Sequence, residues 1–535
     1  MPYLHYLHLH VLSYYKIRRR QANMQGKYVI AYDLGTGGLK ASLHDASGTT
    51  LAFLVCEYPT FYYKEVFHEQ RPEDWWQAIC RSTRLLLDKV KEQNICKEQI
   101  CALAISGHSL VGIPMDREGR PLVGQVPIWS DGRAKEQARR FFETHDYNAW
   151  YETTGNGDPP ACYTLFKIMW MRENQPEIYE KTAYILGSKD YINFRLTGAA
   201  GTDYSYASGT GAFDLRRMCY VDAYIRDAGL RRELFLEPGQ SHELLGRVTV
   251  QAAAEIGLCP GTLVARGGVD NACMALGSCG LGDDRVYMSL GSCAWISATT
   301  RQPVLDSALH PFVFAHVEKG WYCSAVSILS ACTSLSWAKE MLCRDFSAQT
   351  DAYQRLDALA AEAPIGANGV LFNPSLAGGG THRGSPELRG AFLGIQLGSR
   401  REDLLRAVLE GIALDLSEIW ESFSSHIHMP DALLITGGGG KSALWREIFA
   451  GIFGIKIKKG SIGQNAASFG AAAIALRCAG LWEDYTPIDR QCSGGALTEP
   501  AAEHETAYRL LRQRYRAARR ALESFTQENQ NIPSM

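Results

Sequence analysis

Two aspartates stand where an apolar run gives way to a turn. Val264-Ala-Arg-Gly-Gly-Val-Asp270-Asn271 passes from a buried-strand pattern through two glycines to a carboxylate and an amide. Glycine lets backbone approach a ligand with no Cβ in the way. A carboxylate fixed at a strand end is well placed to take a proton, so Asp270 is the expected general base. Asn271 is expected to bond a neighbouring hydroxyl or to cap the next helix. The alternative for Asp270 is an ordinary helix cap. The second aspartate, Asp33, closes the strand-like run Tyr28-Val-Ile-Ala-Tyr-Asp33 and is followed by Leu34-Gly35-Thr36. A carboxylate there would repel a phosphate, but it can hold the water shell of a bridging Mg2+ ion. Asp33 and Asp270 are therefore the expected metal-facing carboxylates.

The turn after Asp33 has a counterpart about half a chain away. Leu34-Gly35-Thr36 and Leu290-Gly291-Ser292 each join two apolar runs. Successive amides in such turns make a concavity for anions. Two copies predict a duplicated architecture with a cleft between its halves and one phosphate loop from each. A third glycine run is Gly437-Gly438-Gly439-Gly440-Lys441-Ser442. It is not a P-loop, which would need glycine at position 435, where Ile435 stands. Ser442 occupies the place of the last glycine in a dinucleotide fingerprint. A strand running into glycines before a helix still suits an adenosine, with a plain turn as the alternative. The glycine-rich stretch Leu376–His382, containing Gly379, is expected near the triphosphate.

These residues need rigid supports. The 535-residue chain exceeds the roughly 250–300 residues that one core usually serves, so two domains are expected. The predicted boundary lies near Gly282–Asp284, giving domains at 26–283 and 284–525, an extension at 1–25 and a tail at 526–535. Alternating strand and helix patterns predict α/β domains. Asp45-Ala-Ser-Gly48 reads as a hairpin turn, and Pro72–Ile79 as a helix start whose Trp75 and Trp76 are core residues. Tyr163–Met171 reads as an amphipathic helix, Leu196–Gly209 as a long Gly/Ser-rich excursion, and Asp403–Glu410 as the start of a long helix.

Composition excludes several classes. The formal net charge of −2 offers no basic field for nucleic acid or an anionic membrane. No run of 18 uncharged apolar residues exists to span a bilayer. Fifteen scattered cysteines without a CxxC pair suggest reduced buried thiols and a cytoplasmic location. The first 23 residues carry their charges after the apolar segment, opposite to a secretory signal, and read as a disordered extension.

Assembled, the motifs resemble the FGGY family of carbohydrate kinases, within the actin, Hsp70 and hexokinase superfamily. The resemblance runs from about Lys27 to about Trp482. Its most specific element is Gly390-Ala-Phe-Leu-Gly-Ile395 followed, seven residues on, by Asp403-Leu-Leu-Arg-Ala-Val-Leu-Glu410. It implies two ribonuclease H-like domains, each a mixed sheet flanked by helices, with an interdomain cleft. It also implies transfer of the γ-phosphate of MgATP to a sugar or polyol hydroxyl, and leaves a homodimer open. Trp129-Ser-Asp131-Gly-Arg133 is similar to the family's sugar-site segment, where Asp131 and Arg133 are expected to grip hydroxyls. Their alternative is a solvent-exposed ion pair.

Two departures bear on the substrate. Xylulose kinases typically continue the preceding strand as Ser-Gly-Gln-Met-His-Gly, whereas this chain has Ser106-Gly-His108-Ser109-Leu110-Val111. The methionine–histidine pair is absent, leaving His108 and Ser109 as the expected substrate contacts. The Arg-Glu pair of glycerol kinases is also absent. A ketose such as xylulose is the first expectation; gluconate, erythritol or another alditol, and a furanone precursor are alternatives. An actin-like ATPase and a catalytically idle sugar sensor are the competing classes.

Overall fold

The computed structural model describes residues 26–157, 159–307, 309–379, 387–492 and 494–529. The expected N-terminal extension lies outside them. Residues 526–529, expected in a flexible tail, belong to helix Glu505–Asn529, and 530–535 lie outside the described residues.

The first sheet contains β1 (Tyr28–Leu34), β2 (Gly38–Asp45), β3 (Thr50–Glu57), β4 (Ile100–Gly107), β5 (Leu244–Arg247), β6 (Leu263–Ala265) and β7 (Gly268–Val269). Its order is β5-β6-β4-β1-β2-β3, with β7 also on β4. The second contains β8 (Val286–Leu290), β9 (Ala294–Thr300), β10 (Phe312–Ala315), β11 (Tyr322–Ile328), β12 (Ala432–Thr436), β13 (Lys456–Lys459) and β14 (Leu497–Thr498), ordered β10-β11-β9-β8-β12-β13-β14. In each sheet the opening strand forms an antiparallel meander on one side. On its other side it pairs with a parallel strand, then a second parallel strand, then an antiparallel edge. The duplication expected from the two Gly-Thr/Ser turns is thus present as topology, with β10 added at one edge.

Six helices matter for the site: α1 (Pro72–Val90), α2 (Asp270–Cys279), α3 (Cys332–Leu342), α4 (Arg401–Ser424), α5 (Ala443–Phe453) and α6 (Ala466–Cys478). α1 starts with proline and two acids in its first turn, as expected. Trp75 and Trp76 are buried in the core. β1 is apolar on both faces because helices cover both. α1 packs on one face of the first sheet, and α6 lies against β1, β4 and α2. α6 is rich in alanine, and its contact with α2 is so close that a Cβ on Gly470 would lie 2.0 Å from the Cys273 carbonyl oxygen. The helix that begins at Asp270 is therefore wedged in place by backbone contact.

Two expectations need correction. Helix Thr164–Asn174 is buried on nearly all sides rather than amphipathic, because core aromatics surround it. The Leu196–Gly209 excursion is ordered: helix Ser188–Thr197 ends there, and a short strand, Thr202–Asp203, leads into helix Tyr204–Ala207. The Asp203 side chain caps that helix by accepting from Ser205 N and Tyr206 N.

Candidate active site

The strand ends bring the two aspartates together. Asp33 lies on β1 opposite Ser106 of β4, and Ser106 in turn pairs with Gly268 of β7, two residues before Asp270. Across the hairpin, Asp33 faces Lys40. Ser106 Oγ donates to Asp33 Oδ1 at 2.9 Å, and Lys40 Nζ to Oδ2 at 3.1 Å. Each oxygen keeps acceptor capacity for water, so the donor set fits a water-mediated Mg2+.

Asp270 is the first residue of α2 and not its cap; Val269 holds the cap position. Its Oδ1 accepts from Asn271 N at 2.9 Å and Asn271 Nδ2 at 3.1 Å. Oδ2 accepts no hydrogen bond from the described residues and remains open to a substrate proton. Asn271, expected to bond a hydroxyl or cap the helix, donates from both its backbone and its side-chain nitrogen to the Asp270 carboxylate. Burial, and then the negative charge of Asp33, raise the Asp270 pKa to about 7, with Lys40 opposing the rise. A base poised near neutrality suits proton abstraction from an alcohol. The break between β6 and β7 aims the group. Gly267 has φ +76°, and a Cβ there would sit 2.2 Å from the Ile105 carbonyl oxygen.

The first of the two loops expected to face phosphates, Gly35-Thr36, is held from outside. Gln70 Nε2 donates to Thr36 O at 2.6 Å, Thr60 Oγ1 to the same oxygen at 3.2 Å, and the Tyr58 hydroxyl to Gly35 O. The second loop closes the β8–β9 hairpin, with Gly291 N donating to Cys293 O at 3.0 Å. The first turn of α3 grips it: Ala331 N and Thr333 N donate to Ser292 O, and Cys332 N to Gly291 O. Gly379 is buried. The preceding Pro374 carbonyl accepts from Ser334 Oγ of α3 at 3.1 Å, which brings this stretch beside the Ser292 anchor. Gly380–His382 fall outside the described residues.

The glycine run after β12 sits against the same loop. Gly437 has φ +89°, and a Cβ there would lie 2.5 Å from Leu290 O. Gly438 is exposed with open space about it, whereas Gly439 and Gly440 are buried and Lys441 is exposed. Arg446 Nη1 reaches back from α5 to the carbonyls of Gly440, Lys441 and Ser442, at 2.7, 3.1 and 3.2 Å.

The sugar-side residues differ from expectation. Trp129 is half exposed, and its indole Nε1 donates to Thr36 Oγ1 at 2.8 Å. Asp131 and Arg133 form a buried ion pair rather than an exposed one. Asp131 is fully buried, and its oxygens take four donors: Arg133 N, Nε and Nη2, and His68 N. That fills the capacity of a carboxylate, so the expected direct grip by Asp131 on a hydroxyl is not available to it. Arg133 also pairs with Glu69 at 2.6 Å and lies over the Phe67 ring.

His108 is 1% exposed and edge-on to Trp75. Burial lowers its pKa to about 3, so the ring is neutral. Its two nitrogens have no partner among the described residues. Ser109 is buried beside it, and Leu110 has φ +64°, a conformation costly for a branched side chain. Lys167 Nζ staples this segment to the Trp129 segment, donating to Leu110 O at 3.1 Å and Ile128 O at 2.6 Å.

Lys40, Gln70, Lys167 and Arg446 were not foreseen. Lys40 was within reach, because a turn centred between Thr36 and Gly37 pairs position 33 with position 40. Gln70 and Lys167 act across long sequence separations that no local pattern reveals, whereas Arg446 bonds carbonyls only four to six residues back.

Comparison with known proteins accords with this geometry. The model of the FGGY family of carbohydrate kinases, N-terminal domain, matches residues 28–277, and that of the C-terminal domain matches residues 286–479. The chain is 31% identical to a xylulose kinase of Bacillus subtilis (strain 168), over 91% of this chain and 95% of that one. It is 24% identical to a gluconokinase of the same organism, over 90% and 94%. Its fold is that of a xylulose kinase from Rhodospirillum rubrum, with TM-score 0.84 at 23% identity over 94% of this chain and 100% of that one. Among the described residues, no helix is long and apolar enough to cross a membrane.

Proposed function

The chain belongs to the FGGY family of carbohydrate kinases, and from that premise we propose that it phosphorylates a ketopentose, with xylulose first, using MgATP and Asp270 as the base. It is a phosphotransferase with an alcohol acceptor. The observation that carries the residue assignment is the half-buried Asp270, with Oδ1 clamped by Asn271, Oδ2 open and a pKa near 7.

In this reading, Asp270 Oδ2 takes the proton of a primary hydroxyl as its oxygen attacks the γ-phosphorus and the bond to ADP breaks. Positioning and charge stabilisation supply most of the catalysis in phosphoryl transfer. Backbone amides around Gly35-Thr36 and Gly291-Ser292 face the phosphates, and Gly379 lies near them. Gly437–Gly440 and Lys441 border the adenosine. Asp33, with Asp270 opposite, would hold the hydrated Mg2+, which when bound neutralises charge on the β- and γ-oxygens. Trp129, Arg133, His108 and Ser109 border the sugar, and Asp131 fixes Arg133.

The xylulose kinase relative supports the ketopentose reading. The gluconokinase relative supports a second reading, an aldonate such as gluconate. Coupled ADP release against D-xylulose, D-ribulose, D-gluconate and erythritol separates the two. The highest kcat/KM on a ketopentose supports the first reading, and the highest on D-gluconate replaces it with the second.

A further inference from the structure

We infer that Ser205, held by the buried Asp203–Lys189 pair, is a positioning residue for Asp270, and that Asn193 assists it from the next turn of the backbone. The inference rests on Asp270 being the base.

The strand leading to Asp270 has one edge on β4, and no strand among the described residues pairs with the other. Gly268 and Val269 pair with Ser106 and Gly107 on the inner side. On the outer side, Val269 N donates to Ser205 Oγ at 2.9 Å. Ser205 Oγ in turn donates to Asp203 Oδ2 at 2.5 Å, and the same oxygen accepts from Ser205 N and from Ser241 Oγ at 2.7 Å. Asp203 Oδ1 pairs with Lys189 Nζ at 2.9 Å, and that ammonium also contacts Asp190. Lys189, Asp203 and Ser205 are all fully buried. Buried charges of this kind hold their geometry because water cannot replace a lost partner.

A second tether grips the same segment upstream. Lys189 Nζ and Asn193 Nδ2 both donate to Arg266 O, at 3.1 and 2.8 Å. Gly267 N donates to Ser241 O at 3.0 Å. Residues 266–269 are thus fixed on both sides of the two glycines, where the chain would otherwise bend most easily. The residue next to Val269 is Asp270, so any slack at Val269 N passes directly to the base. A displacement of about 1 Å at a reacting group costs on the order of 10²-fold in rate.

The test uses the full chain with MgATP and whichever of D-xylulose, D-gluconate or erythritol releases ADP fastest. Ser205→Ala should lower kcat about 10- to 100-fold with the KM for ATP unchanged, and Ser205→Thr, which keeps the hydroxyl, should restore it. Asn193→Ala should lower kcat in the same manner. Thermal melts establish that each variant is folded. Folded Ser205→Ala and Asn193→Ala enzymes with kcat within about twofold of wild type would overturn the tether, since a packing role alone moves the melt and not kcat. Asp270→Asn is run alongside: if it stays active, the base assignment fails, and if it is dead while Ser205→Ala is normal, the tether alone fails.

Discussion

The indole nitrogen of Trp129 donates to the hydroxyl of Thr36 at 2.8 Å, joining the segment expected to face the sugar to the loop expected to face the phosphates. The bond spans 93 positions of sequence and is partly exposed. It ties the Trp129 segment directly to the loop that follows β1.

Trp129→Phe keeps the ring and removes the donor. A single hydrogen bond of this kind is worth about 0.5–1.5 kcal/mol. The kcat/KM should therefore fall roughly 2- to 13-fold for both sugar and ATP. Steady-state kinetics with each substrate varied in turn checks this. A change confined to the sugar would place the indole in the sugar site alone.

The pH profile should report Asp270. Its folded pKa is raised to about 7 by burial and by Asp33, and Lys40 works against that rise. A base must be ionised, so kcat/KM should fall below about pH 7 as Asp270 takes up one proton. Lys40→Met removes the opposing charge and should move the acid limb to higher pH. The same shift affects stability. The folded state holds this proton up to about pH 7, whereas an unfolded aspartate releases it near 3.9, so this residue's contribution declines as pH rises between the two. Asp270→Asn should flatten that slope in urea titrations across the window.

Gly437→Ala tests the contact between the loop proposed to border the adenosine and the second loop proposed to face the phosphates. The added methyl meets Leu290 O at 2.5 Å, in backbone that L side chains rarely adopt. A cost of roughly 1–3 kcal/mol is expected, with a raised KM for ATP and an unchanged KM for sugar. Thermal melts and nucleotide titrations measure the two effects.

Chelation with EDTA should abolish phosphorylation, and added Mg2+ should restore it. Asp33→Asn should raise the Mg2+ concentration needed for half-maximal rate by about tenfold or more, read from a metal titration at fixed ATP. Unchanged metal demand would remove Asp33 from that role.

Much of this architecture is legible in local sequence, and the reasons are physical. The Gly-Thr and Gly-Ser turns are visible because a hairpin needs both a turn and two apolar arms. The strand-to-helix switch at Asp270 is visible because glycine interrupts one periodicity before another begins. Lys40 was also recoverable, since a hairpin fixes its own register. By contrast, the four donors that saturate Asp131 include His68 N from a distant strand, and Lys167 reaches both Leu110 O and Ile128 O from a buried helix. Such bonds follow from how elements pack, and neighbouring residues carry no trace of them. The Leu196–Gly209 stretch was misjudged because its glycines and serines resemble a loop, whereas Asp203 folds it into a short strand and helix.

Asp270 is proposed to remove the acceptor's proton. The most direct test of that role is single-turnover phosphoryl transfer by Asp270→Asn at pH 8, with ATP affinity measured on the same preparation by calorimetry. The rate should be lower by about 10²–10⁴-fold or more with ATP affinity within about threefold of wild type. A transfer rate close to wild type would contradict that role.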